Sequence, residues 1–152
     1  MPTDALKLWV VLARAYQAIG ARAEEHAREH DLTIAEFGVL EALHHDGPAL
    51  LGELQKKLLV SSGGVTWLVD RLERRGLVER AACNEDRRAR YARLTEPGKR
   101  FIAKIFPAHA EVIRDACSAL NGAEQRELAA LLRTLGKGAA GIAEPATSGR
   151  RK

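Results

Sequence analysis

The stretch SSGGVTWLVDRLERRGLVER, residues 61–80, decides how this chain folds. At about 100° per residue, Val65, Leu68, Val69 and Leu72 fall on one helical face, while Gly63, Thr66, Trp67, Asp70 and Arg74 point the other way. Ser61 or Ser62 supplies an N-cap, and Gly76 ends the helix. Beyond it, LVERAAC (77–83) and ARYARLT (89–95) are short and β-compatible, and the polar NEDRR between them makes a hairpin turn. A helix with an inner and an outer face running straight into a hairpin is the second half of a winged helix.

The flanking sequence completes that unit. LLGELQKKLL (50–59) predicts a short helix before the decisive one, and TIAEFGVLEALHH (33–45) a longer helix before that. Thr33 and Glu36 form a T-x-x-E capping box at its start, and Asp46-Gly47-Pro48 stops it. From Asp4 to about His30, the residues Ala5, Trp9, Leu12, Tyr16, Ile19 and Ala23 recur at spacings of four and three, as in a helix burying one stripe. Thr95 opens another helix, about 97–119, carrying Phe101, Ile102, Ile105, Val112 and Ile113, with a bend expected at Pro107. Asn121 and Glu124 cap a last helix around ELAALLRTL. Beyond Gly136 the small residues and breakers read as a flexible tail. The fold class is therefore mostly α with a small β-hairpin wing: a winged helix-turn-helix (about 33–96) flanked by N- and C-terminal helices (about 4–30 and 97–138). Residues 1–138 make a single domain and 139–152 the tail.

Composition narrows the function. The chain has 152 residues, 46% of them apolar, and a net charge of +4. The excess is concentrated: between Arg71 and Arg93 stand eight arginines against four acids. A wing beside a recognition helix sets its turn over the neighbouring minor groove, where the negative potential favours arginine, so Arg87, Arg88 and Arg90 are candidate DNA contacts. Asp86 can brace one of them through a forked ion pair. On the helix, Ser62, Gly63, Thr66, Trp67 and Arg74 face the major groove, and Gly63 permits close backbone approach. Cys83 and Cys117, far apart and outside any CxxC pair, fit a reducing cytosol. The N-terminus lacks a signal-peptide core and no run approaches ~20 apolar residues, so a cytoplasmic location without membrane contact is expected.

The run SSGGVTWLVDRLERRGLVER followed by EDRRARYARLTEPGKR resembles the helix-turn-helix and wing of the MarR family, bacterial regulators of the multiple-antibiotic-resistance type. The resemblance covers about residues 5–138. Its most specific parts are DRLERRGLVER, the D-x-R of Asp86 and Arg88, and the L-T-x-x-G of Leu94, Thr95 and Gly98. It implies a homodimer with intertwined terminal helices, a palindromic double-stranded DNA operator, and an affinity altered by a small organic effector. It places Ser62, Gly63, Thr66 and Trp67 on the recognition surface and Asp86 and Arg88 in the wing. Trp67 departs from the polar or basic residue usual there, and Leu50 and Leu51 are more apolar than usual. Trp9, Tyr16 and His26 are candidate effector-lining residues in the family's cleft between dimer helices and winged helix.

Other chemistry is weighed against this reading. His26, Glu29 and His30 spell H-x-x-E-H, a spacing known from zinc peptidases. His26 and His30 also continue the stripe of Tyr16, Ile19 and Ala23, which favours packing histidines, and no metal or cofactor is assigned. Some relatives sense zinc, and His44, His45 or His109 are candidates to complete such a site. Thiol sensing would fall to Cys83, beside the wing, since Cys117 lies on an apolar face. No nucleophile, phosphate loop or carboxylate pair supports an enzyme. The expected function is a dimeric, effector-responsive repressor. The alternatives are a winged-helix protein-interaction module and a metal- or thiol-sensing regulator.

Overall fold

A computed structural model describes residues 3–58, 62–82, 85 and 88–143. They form two compact units, one ending at Ala116 and the other starting at Cys117. The first holds α1 (Asp4–Glu29), α2 (Ile34–Asp46), β1 (Ala49–Leu50), α3 (Leu51–Leu58), α4 (Ser62–Arg74), β2 (Val78–Ala82), β3 (Arg90–Leu94) and α5 (Glu96–Ala116). The second is α6 (Gly122–Ala143) with its N-terminal turn.

The element ends form for local reasons. Thr33 and Glu36 make the expected capping box: the Glu36 N–H donates to Thr33 Oγ1 and the Thr33 N–H to Glu36 Oε2, both at 3.1 Å. At the end of α4, Leu77 N–H reaches the Leu72 carbonyl and Gly76 N–H that of Glu73, a Schellman motif. It needs a left-handed residue, and Gly76 supplies φ 71°. The end of α1 repeats the motif through Leu32 to Ala27 and Asp31 to Arg28, with Asp31 itself at φ 55°. The L-T-x-x-G run is now explained. Thr95 Oγ1 accepts from Gly98 N–H at 3.0 Å and donates to the Gly76 carbonyl at 2.5 Å. A Cβ on Gly98 would lie 1.9 Å from the Leu77 carbonyl oxygen, so only glycine lets α5 start this close to β2.

One core joins α2, α3, α4, the sheet and α5. Val65, Leu68, Val69 and Leu72 of α4 are buried among Phe37, Val39, Leu40, Leu54, Val78, Ile102 and Ile105. Each such side chain, fully buried, contributes roughly 1.5–3 kcal/mol. α1 packs against α5 and α2, which places it behind the winged helix.

Three features differ from the sequence-based expectation. The wing is part of a three-stranded antiparallel sheet of order β1-β3-β2, in which Leu50 pairs with Tyr91 and Val78 with Leu94. This accounts for the apolar Leu50 and Leu51: the first joins the sheet edge and the second packs against the core. α5 contains Pro107 and ends at Ala116, short of the expected end at about 119. α6 starts at the predicted Asn121 cap, whose Oδ1 accepts from Ala123 and Glu124, but continues past Gly136 to Ala143. Glycine in a helix costs about 1 kcal/mol against alanine, a tax and not a stop, and Ala139, Ala140 and Ala143 are strong helix formers. Residues 144–152 of the expected tail lie outside the described residues.

Candidate nucleic-acid interface

The outward face of α4 is as the periodicity predicts. Gly63, Thr66, Trp67 and Arg74 are exposed, and nothing lies within 4 Å of a Cβ built on Gly63. Ser62 is the first residue of α4, and Ser61, the other expected cap, lies outside the described residues. Trp67 is 52% exposed and stands against its own helix, with the Arg71 guanidinium 4.8 Å from the ring centroid. That cation–π contact restrains the half-exposed indole at an energy of about 0.5–1 kcal/mol for an exposed pair.

Four arginines of the basic segment fix this face to its surroundings, and the sequence did not assign them that work. Arg71 Nε donates to Oε1 of Glu36, a carboxylate only 1% exposed at the N-terminus of α2. Arg75 donates to the Asp31 carbonyl at 2.8 Å and the His30 carbonyl at 3.4 Å, closing the end of α1, and lies 5.6 Å from the Phe101 ring centroid. Arg80 of β2 reaches Asp70 at 2.6 Å and Glu73 at 2.5 Å, which clamps the wing to α4. Arg93 pairs with Glu79 across the two strands at 2.7 Å. Their partners, carboxylates for Arg71, Arg80 and Arg93 and backbone carbonyls for Arg75, sit 10 or more residues away in all but the Arg80–Glu73 pair, so no local spacing reveals them. The clue in sequence was the buried-face acid Glu36, which demands a cation.

At the tip of the wing, Arg88 and Arg90 are exposed. Asp86, Arg87 and Cys83, the proposed brace, wing cation and thiol, lie outside the described residues. With Lys56, Gln55 and Glu53 of α3, Arg88 and Arg90 line an open cavity of about 620 Å³ floored by Leu50 and Leu51. The basic wing thus stands beside α3, and Arg80 at its base is paired with its two acids on α4.

The effector candidates are less convergent. Trp9 is 66% exposed and Tyr16 78%, whereas His26 is buried against α5. At 1.5 Å rise per residue, about 25 Å of helix separates Trp9 from His26, so one small molecule cannot touch all three within a chain. His26 Nδ1 lies 3.1 Å from His109 Nδ1, and His109 stacks on Phe37 at 4.0 Å. Burial, and then the neighbouring His26, hold the pKa of His109 below its ordinary value. His30 is half-buried against the edge of Phe101, so both H-x-x-E-H histidines pack as the stripe predicts. Cys117 is a free, half-buried thiol. Among the described residues no helix is long and apolar enough to cross a membrane.

Comparison with known proteins agrees with this geometry. The MarR family model matches residues 30–89. The HTH-type transcriptional regulator MhqR of Bacillus subtilis is 38% identical over 136 residues, covering 90% of this chain and 94% of its own. The HTH-type transcriptional repressor NicR of Pseudomonas putida is 30% identical over 125 residues, covering 82% and 79%. Among solved structures, Bordetella bronchiseptica BpsR, whose DNA binding is regulated by 6-hydroxynicotinic acid, superposes with a TM-score of 0.77 at 28% identity, over 86% of this chain and 98% of its own.

Proposed function

The chain belongs to the MarR family and is a DNA-binding transcriptional regulator, and from that premise we propose that it acts as a homodimeric, effector-responsive repressor of a palindromic operator. The observation that carries the finer reading is the uncovered apolar face of α1. Leu6, Trp9, Val10 and Tyr16 are exposed and fall within about 120° of one another around the helix, an apolar stripe of a kind that soluble proteins cover with a partner. In α6, Leu128, Leu131 and Leu135 are exposed in the same manner. A second copy satisfies both faces by two-fold symmetry, and two-fold symmetry sets two reading heads on a pseudo-palindrome.

In each head Ser62, Gly63, Thr66, Trp67 and Arg74 meet the major groove, and Arg87, Arg88 and Arg90 meet the backbone or minor groove, with Asp86 bracing one of these arginines. Repression is supported by the likeness to NicR, and a small heteroaromatic acid as effector by the likeness to BpsR. Trp9, Tyr16 and His26 then border the effector from different points of the dimer, and the protein works in the cytoplasm without catalysis. Selection of bound fragments from random duplex, repeated with 6-hydroxynicotinic acid, tests this. The expected result is an enriched pseudo-palindrome with half-sites about one helical turn, ~10 bp, apart, and weaker enrichment with the acid. Enrichment of single, unpaired half-sites would contradict the dimeric reading.

A further inference from the structure

The last turns of α1 gather three donors on one face. His26, Glu29 and His30 occupy positions i, i+3 and i+4, neighbours on a helix surface. Their ligand atoms all lie within 4.8 Å of one another. His26 is buried, His30 half-buried and Glu29 exposed, so the cluster has a closed back and a mouth open to solvent. The back is His109 of α5, whose Nδ1 faces that of His26 at 3.1 Å. At that distance one ring nitrogen donates to the other, and the contact orients the His26 ring. A hydrogen bond of this kind to the second ring nitrogen is what orients a metal-ligating histidine. Phe37, stacked on His109, holds that imidazole in turn.

We propose that His26, Glu29 and His30 bind a divalent transition-metal ion of the Zn²⁺ class, with His26 ligating through Nε2 and His109 as its positioning residue. Two imidazoles and one carboxylate suit Zn²⁺, for which nitrogen and oxygen ligands at about 2.0–2.2 Å leave a fourth tetrahedral position to water. Hard cations are disfavoured, since Mg²⁺ and Ca²⁺ take sites built from oxygen. Packing alone explains His26 and His30 facing α5. The carboxylate of Glu29 adds a third donor within 4.8 Å of both rings at the exposed side of the cluster. The site borders the turn at which Arg75 holds the His30 and Asp31 carbonyls, and it stands apart from the DNA-contacting face. It depends on nothing in the operator reading, and its test needs no DNA.

The test is titration of the chelator-stripped full chain with Zn²⁺ against a chromophoric chelator, and separately with Co²⁺ as a spectroscopic probe. The expected result is one Zn²⁺ per chain and visible Co²⁺ absorption of tetrahedral or five-coordinate intensity. Glu29→Gln and His30→Ala alter exposed or half-buried groups, so both should fold, as helical circular dichroism will report. Each should weaken Zn²⁺ binding by about tenfold or more, as loss of a ligand or its support does. In His109→Gln the Co²⁺ bands should move while the stoichiometry holds. Failure of the stripped protein to take up Zn²⁺ stoichiometrically, or an affinity unchanged in both folded variants, would overturn the site. Co²⁺ bands unmoved in His109→Gln would remove His109 from it.

Discussion

The inner face of α4 and the outer face of α1 share one apolar period and end in opposite surroundings. Val65, Leu68, Val69 and Leu72 are closed inside the chain's own core. Leu6, Trp9, Val10 and Tyr16 are not. Periodicity says that a stripe must be covered; it does not say by which chain. The difference lies in what flanks each helix. α4 is short, capped at its end and surrounded by α2, α3 and the sheet, whereas α1 runs for 26 residues and its buried residues, Ala23, His26 and Ala27, all lie in its C-terminal half. One region is therefore closed within the chain, and the other is the face that the proposed dimer would cover.

The largest expected effect is on the closed side. Leu72→Ala should lower the unfolding free energy by about 2–5 kcal/mol in denaturant titration, because a fully buried leucine leaves a cavity. An unchanged midpoint would mean that the α4 face is not closed within the chain. A pair of glycines gives the next contrast. Gly98→Ala forces a methyl onto the Leu77 carbonyl and should cost about 1–3 kcal/mol or more of stability. Gly63→Ala has open space and should stabilise the helix by up to about 1 kcal/mol, yet weaken operator binding, since the added methyl meets DNA and not protein. Equal or tighter operator binding in Gly63→Ala would remove close backbone approach from the mechanism.

Smaller effects belong to the reading head. Arg88→Ala should weaken binding to all duplexes alike and reduce the salt slope by about one unit, read from titrations over a salt series. An unaltered slope would take the wing tip off the DNA. Trp67 serves as its own reporter in a Trp9→Phe background, where it is the sole indole. Its emission should change more on operator than on random duplex at equal salt, and Trp67→Ala should shift base preference more than overall affinity. Flat emission during demonstrable binding would show that Arg71 holds the indole away from the groove.

Much of this was legible before any coordinates. The Thr33–Glu36 and Asn121–Glu124 boxes, Gly76 and the outward turn of Trp67 all follow from local rules, because their partners lie within five residues. β1 was not legible: two residues have no period, and Leu50 becomes a strand only because Tyr91 pairs with it. The anchoring roles of Arg71 and Arg75 were hidden for the same reason, since Glu36 and Asp31 are brought to them by folding. His109 meets His26 across 83 residues of sequence, a distance no spacing argument spans. The end of α6 was missed because glycine was read as a stop when its flanking alanines carry the helix on.

Whether the uncovered face of α1 is an interface is decided most directly by sedimentation equilibrium at micromolar concentration, on the wild-type chain and on Trp9→Ser. The wild type should sediment at about twice the chain mass of 16.6 kDa. Trp9→Ser, which puts a polar group in the middle of the face, should dissociate at concentrations where the wild type does not, with its helical content retained. A wild-type chain that sediments at 16.6 kDa would contradict the account, and with it the paired reading heads and the palindrome.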